Sequence, residues 1–178
     1  RALRMAVASG HGIGKSALIR EVARPIAQSR GYFVEGKFDQ FERDRPYASL
    51  VQAFQQLVRQ LLGESKGRGQ AWRSSLIDAL GSHVAVVIDV IPEVALLVGD
   101  CTPLAPLPPA EARNRFDDAF RRFVRVFARP DAPLALFLDD LQWVDSASLR
   151  LLRTLATDPD VAGLLVVGTY RDNEVDAH

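Results

Sequence analysis

Ser9-Gly10-His11-Gly12-Ile13-Gly14-Lys15-Ser16 is the stretch on which the reading of this chain turns. Before it, Leu3–Ala8 is mostly apolar and reads as a short strand. After it, from Lys15 to about Ser29, Leu18, Ile19, Val22 and Ile26 recur at helical spacing and predict a helix with one face on a sheet. Glycines in a strand-to-helix turn let backbone N–H groups converge on an anion that side chains would otherwise block. The helix start adds the positive end of its dipole to the same point. In such a loop Lys15 reaches the β- and γ-phosphates of a nucleotide and the Ser16 hydroxyl ligates Mg²⁺. By position, Gly10, His11, Gly12, Ile13, Gly14, Lys15, Ser16 and Ala17 are the expected binding residues. The usual pattern has glycine six positions before the lysine, where this chain has Ser9, so Gly10 takes that role only in a tighter loop. A turn that uses glycine for conformation alone is the competing reading, and a loop-surface role competes for His11.

The second signal is Leu134-Ala135-Leu136-Phe137-Leu138-Asp139-Asp140, a continuous apolar run ending in two carboxylates. At the tip of a buried parallel strand these acids sit where such folds bind ligands. Loop and strand occur in the order of the Walker A and Walker B motifs. Asp139 is then expected to hold magnesium and Asp140 to orient or deprotonate the attacking water. Two solvated aspartates ending a strand would be the reading if this run stood alone. The third signal, Val167-Gly168-Thr169-Tyr170-Arg171-Asp172, ends another apolar strand. Where a strand is inserted between the Walker A and Walker B strands, this edge faces the γ-phosphate, so Thr169 or Arg171 is positioned to sense it. Pairing of Arg171 with a surface carboxylate is the alternative.

Between these signals the chain alternates apolar strands and amphipathic helices, the pattern of an α/β fold with a parallel sheet covered on both faces. Tyr32–Phe38 alternates like a half-buried strand. Gly31 is the expected left-handed stop of the preceding helix, whose last turn Pro25 is expected to kink. Tyr47–Leu62 predicts an amphipathic helix with Pro46 at its start. Gly63–Gly69 predicts a loop and Ala71–Leu80 a helix. His83–Ile91 fits strand by its Val and Ile content and helix by its surroundings. Thr102–Pro109, with four prolines, predicts an extended linker. Ala110–Ala128 carries Phe116, Phe120, Phe123, Val124 and Phe127 on one stripe, read as core. Ser148–Thr157 is helical, capped by Asp145 or Ser146. Trp143 and Asp145 are expected to pack and cap rather than catalyse.

Composition excludes several classes. The 178 residues, 48% of them hydrophobic, are enough for one domain with a real core and unlike a disordered segment. Lys plus Arg equals Asp plus Glu at 22 each, so no basic excess points to nucleic acid. Arg121, Arg122 and Arg125 cluster only as a solvated helix face would. No apolar run reaches the roughly 20 residues of a membrane span. A single cysteine, Cys101, allows no internal disulfide, which fits a reducing compartment, and the cytoplasm is expected. The chain begins without an initiator methionine and ends at Asn173–His178 just after a strand, so it is expected to be part of something longer.

Four stretches carry a resemblance: Gly12-Ile13-Gly14-Lys15-Ser16, Gly31-Tyr32-Phe33-Val34-Glu35-Gly36-Lys37-Phe38-Asp39-Gln40, Phe137-Leu138-Asp139-Asp140-Leu141-Gln142-Trp143 and Tyr170-Arg171-Asp172-Asn173-Glu174-Val175. Through them the chain resembles the AAA-like, STAND-type P-loop ATPase module of bacterial signalling proteins that join a Ser/Thr kinase domain to a sensor histidine kinase. The resemblance implies a three-layer αβα sandwich of the ASCE type over residues 1–178, with sheet order 5-1-4-3-2. It implies a helical insertion at about 42–128 and a chain stopping before the fifth strand and lid. It implies Mg²⁺ and ATP as cofactors, metal on Ser16 and Asp139, catalytic roles for Lys15, Asp140 and Arg171, and the kinase and sensor domains of the same protein as partners. The expected function is ATP binding with slow, switch-like hydrolysis; the alternative is a degenerate nucleotide pocket serving as a scaffold between kinase domains.

Overall fold

The computed structural model of the chain describes residues 4–9, 15–41 and 45–170, with 4–9, 15–20 and 22 described by backbone alone. In order these form β1 (Arg4–Ser9), α1 (Lys15–Gln28), β2 (Tyr32–Lys37), α2 (Ala48–Leu62), α3 (Lys66–Leu80), α4 (Val84–Val90), α5 (Val94–Val98), α6 (Pro109–Phe127), β3 (Leu134–Asp139), α7 (Ser146–Thr157) and β4 (Leu164–Tyr170). The termini follow local chemistry. Pro109 opens α6 where no backbone donor is needed, and Glu111 in the first turn and Arg125 in the last complement the helix dipole. Asp145 caps α7, its carboxylate accepting the Ser148 N–H at 2.8 Å.

The four strands form one sheet in the order β1-β4-β3-β2, every neighbouring pair parallel. This is the expected 5-1-4-3-2 order as far as the described strands run. Leu134 to Leu138 are all buried, as are most residues of β4, because helices lie over inner parallel strands. β2 alternates buried and outward residues and ends the described sheet. The helix α1 lies against β2 and β3. Its Ile26 is buried, while Leu18, Ile19 and Val22 lie outside the described side chains.

The chain divides into two compact units. Arg1–Ala53 with Phe127–His178 carries the sheet; Phe54–Val126 is helical. In the helical unit Phe54 meets Phe120 edge-on at 4.9 Å between ring centroids and Phe123 at 5.7 Å, so the phenylalanine stripe of α6 is core. His83–Ile91 resolves as helix, a short 3₁₀ turn running into α4. On α6 the Asp118 carboxylate is drawn two ways. Burial disfavours its charge, but bonds from Arg121 and Arg122, both at 2.7 Å, prevail and hold it below the usual carboxylate range. Among the described residues no helix is long and apolar enough to cross a membrane.

Three local expectations are corrected. The left-handed residue closing α1 is Arg30, with φ 54°, not Gly31. The Gly31 N–H closes on the Ile26 carbonyl at 2.8 Å, and a Cβ at Gly31 would stand 2.2 Å from the Pro133 oxygen, so Gly31 serves close approach to the next strand. Pro46 lies outside α2, separated from it by Tyr47 at φ 65°. The glycine-rich loop is shorter than its composition implies: α3 starts at Lys66 and takes in Gly67 and Gly69. Glu64 binds Trp72 Nε1 at 3.0 Å and Arg68 at 3.2 Å, tying that first turn down despite two poor helix formers.

Gly163 lies where the chain turns into β4, its carbonyl accepting the Leu134 N–H at 2.9 Å. A Cβ there would come 2.1 Å from the Arg129 oxygen, a contact with backbone that cannot rotate away. Gly163→Ala is expected to cost about 2–3 kcal/mol in urea unfolding. Gly69→Ala, with nothing within 4 Å of the new Cβ, is expected to gain about 0.5–1 kcal/mol.

Candidate functional site

The parallel register lines up one row of residues along the carboxyl edge of the sheet. Ala8 pairs with Thr169, Leu138 with Gly168 and Lys37 with Asp139, so the row reads Ala8, Thr169, Asp139, Lys37. Adjacent strands lie about 4.8 Å apart, which puts Asp139 roughly 10 Å from β1 with β4 between. β1 ends one residue after Ala8, and α1 begins at Lys15. Lys15, Ser16 and Ala17 thus lie in the first turn of α1, although their side chains are not described. Gly10, His11, Gly12, Ile13 and Gly14, and Arg171 at the other end, lie outside the described residues.

The structure brings Asp139 and Thr169 together. The hydroxyl of Thr169, a residue 2% exposed, donates to Asp139 Oδ1, and the same oxygen accepts the Asp140 N–H at 2.9 Å. Two donors on one oxygen fix the carboxylate at the strand tip. A rigid carboxylate in this place suits magnesium, which takes oxygen ligands and keeps several waters. Among the described residues no group of three or more His, Cys, Asp or Glu converges so as to hold a metal ion.

Asp140 is 4% exposed and adopts a left-handed backbone, φ 55° and ψ 49°, which Asp tolerates better than most residues. Gln142 Nε2 donates to its Oδ1 at 3.3 Å, and Lys37 Nζ stands 3.8 Å from its Oδ2. Sequence reasoning gave no role to either neighbour. The sequence holds Lys37 at the end of an alternating strand, but only the sheet order shows that this strand ends beside Asp140. Asp145 is a cap, as expected: both its oxygens are engaged by Ser148, through the N–H at 2.8 Å and the hydroxyl at 2.6 Å. On the far side of the edge, the Tyr47 hydroxyl accepts from Arg150 at 2.8 Å and joins the head of α2 to α7.

The chain has relatives among large kinases. Hybrid signal transduction histidine kinase G of Dictyostelium discoideum is 41% identical over 144 residues, 81% of this chain and 4% of its own length. Histidine protein kinase 1 of Candida albicans is 24% identical over 155 residues, 79% of this chain and 6% of its own. The chain therefore spans only a small part of the curated relatives it matches. The family model described as the AAA ATPase domain matches residues 5–167, nearly the whole described fold. With a parallel β1-β4-β3-β2 sheet and a bonded aspartate at the tip of β3, this match places the chain in the AAA ATPase domain family.

Proposed function

We propose that this chain is the ATP-binding module of a multidomain signalling protein and hydrolyses Mg-ATP slowly, as a STAND-type conformational switch. The observation that carries this reading is the fixed Asp139 carboxylate, one strand from the start of α1 on the side where β4 and β1 lie. In this reading the loop Gly10 to Gly14 and the first turn of α1 cradle the phosphates. Lys15 neutralises the β- and γ-phosphates, and Ser16 and Asp139 hold magnesium. The ion, when bound, screens the charge that develops on the phosphates. Asp140 orients the attacking water and takes its proton, and Arg171 reads the presence of the γ-phosphate. The helical stretch at about 42–128 is an insertion in this core. The names of the relatives, both histidine kinases, favour kinase and sensor domains of the same protein as partners. The lone Cys101 fits a cytoplasmic setting.

Calorimetric titration with Mg-ATP tests the reading. Saturable binding is expected, weakened about ten- to a hundredfold by Lys15→Ala and by Asp139→Ala, since each removes a charged contact. Binding that neither substitution changes would sink the site.

Thr169→Val is expected to weaken the magnesium dependence of that binding about tenfold, because it removes the donor that orients Asp139. Thr169→Ser keeps the hydroxyl and is expected to bind like the parent. Equal magnesium titrations for the Val and Ser variants would remove Thr169 from the site.

A further inference from the structure

We infer that residues 102–109 are a docking ridge for a proline-reading protein domain, one whose aromatic-lined groove takes a polyproline II strand. The stretch is Thr102-Pro103-Leu104-Ala105-Pro106-Leu107-Pro108-Pro109, and it joins α5 to α6 with no helix or strand before Pro109. Covalent chemistry constrains its backbone. Proline holds its own φ at about −65° and confines the residue before it to the β and polyproline II region. Together these two rules govern every residue of the stretch except Leu104. A polyproline II strand turns once in about three residues, which sets Pro103 and Pro106 on one ridge. Pro103 to Pro106 and Pro106 to Pro109 are two overlapping units of the same Pro-x-x-Pro spacing. The inference is independent of nucleotide binding.

The helical unit presents this ridge instead of burying it. Every residue from Thr102 to Pro109 is exposed except the half-buried Leu104. Leu107 is a large apolar side chain left open to water among the prolines. The Arg115 guanidinium on α6 donates to the Ala105 carbonyl at 2.9 Å and ties the middle of the stretch to the helix. A ridge held at its middle and continuous with α6 loses little conformational entropy on docking, a cost that a loose segment meets in full. Spanning the gap from α5 to α6 requires neither the repeated Pro-x-x-Pro spacing nor its exposure. No charged residue lies between Cys101 and Ala110, so recognition rests on shape and on packing against aromatic rings.

Calorimetric titration of the chain with a panel of purified SH3, WW and EVH1 domains tests this, with the free peptide of residues 100–111 as reference. At least one domain is expected to bind the chain no more weakly than it binds the peptide. The double substitution Pro103→Ala with Pro106→Ala is expected to weaken that binding about tenfold or more at unchanged Tm. Raising the salt concentration should leave the affinity little changed, because the ridge carries no charge. Three results would each overturn the inference. One is a panel in which no domain binds the chain. Another is a chain that binds more weakly than its own peptide, which would mean that the fold withholds the ridge. The third is binding that survives the double proline substitution, which would place the contact elsewhere on the protein.

Discussion

The hydroxyl of Thr169 reaches the carboxylate of Asp139 because β4 lies between β1 and β3. That placement governs most of what surrounds it. Parallel neighbours cannot be joined by a tight turn, so each strand is followed by a crossover: α1 after β1, the helices α2 to α6 after β2, and α7 after β3. Helices over the sheet bury the inner strands, so β3 and β4 tolerate almost nothing polar along their length. Polar chemistry is pushed to the strand ends, and in a parallel sheet those ends share one edge. Ala8, Thr169, Asp139 and Lys37 fall into a row for this reason and not because they are near in sequence.

Burial of polar side chains in the sheet-bearing unit is offset by bonding. Asp140, Ser49, Ser148, Asp158 and Thr169 are all buried, and each has a named partner. Ser49 donates to the Lys37 carbonyl, Ser148 to Asp145, and Thr169 to Asp139, while Asp158 accepts the Asp160 N–H at 2.9 Å. A buried hydroxyl or carboxylate left without a partner would cost about 1–3 kcal/mol or more. The side chains at the candidate site are therefore held by the same bonds that make their burial tolerable. The helical unit is different in kind, its core made of aromatic edges such as Phe54 against Phe120.

Much of the fold was legible because its signals are local. A continuous apolar run ending in acids identified β3, a phenylalanine stripe identified α6, and the choice of Asp145 or Ser146 as cap bracketed the start of α7. The misreadings also have physical causes. Gly31 and Arg30 differ by one position, and the close approach of Pro133 that requires glycine is a tertiary fact. The glycines of α3 hid a helix whose first turn is held by Glu64 through side-chain contacts. At the site, Asp139 and Asp140 were visible as a pair, yet their divergence was not. It depends on which strands flank β3, and Lys37 and Thr169 stand about 100 and 30 residues from it along the chain. Composition carries no trace of such neighbours.

The last strand of the described sheet also has a solubility problem to solve. A sheet edge exposes backbone groups that can recruit a strand from another molecule. β2 is only six residues long, and its alternation turns Glu35 and Lys37 outward. The Ser49 hydroxyl occupies the Lys37 carbonyl at the end of that edge. Short length, outward charges of both signs and an occupied carbonyl make β2 a poor template for intermolecular pairing.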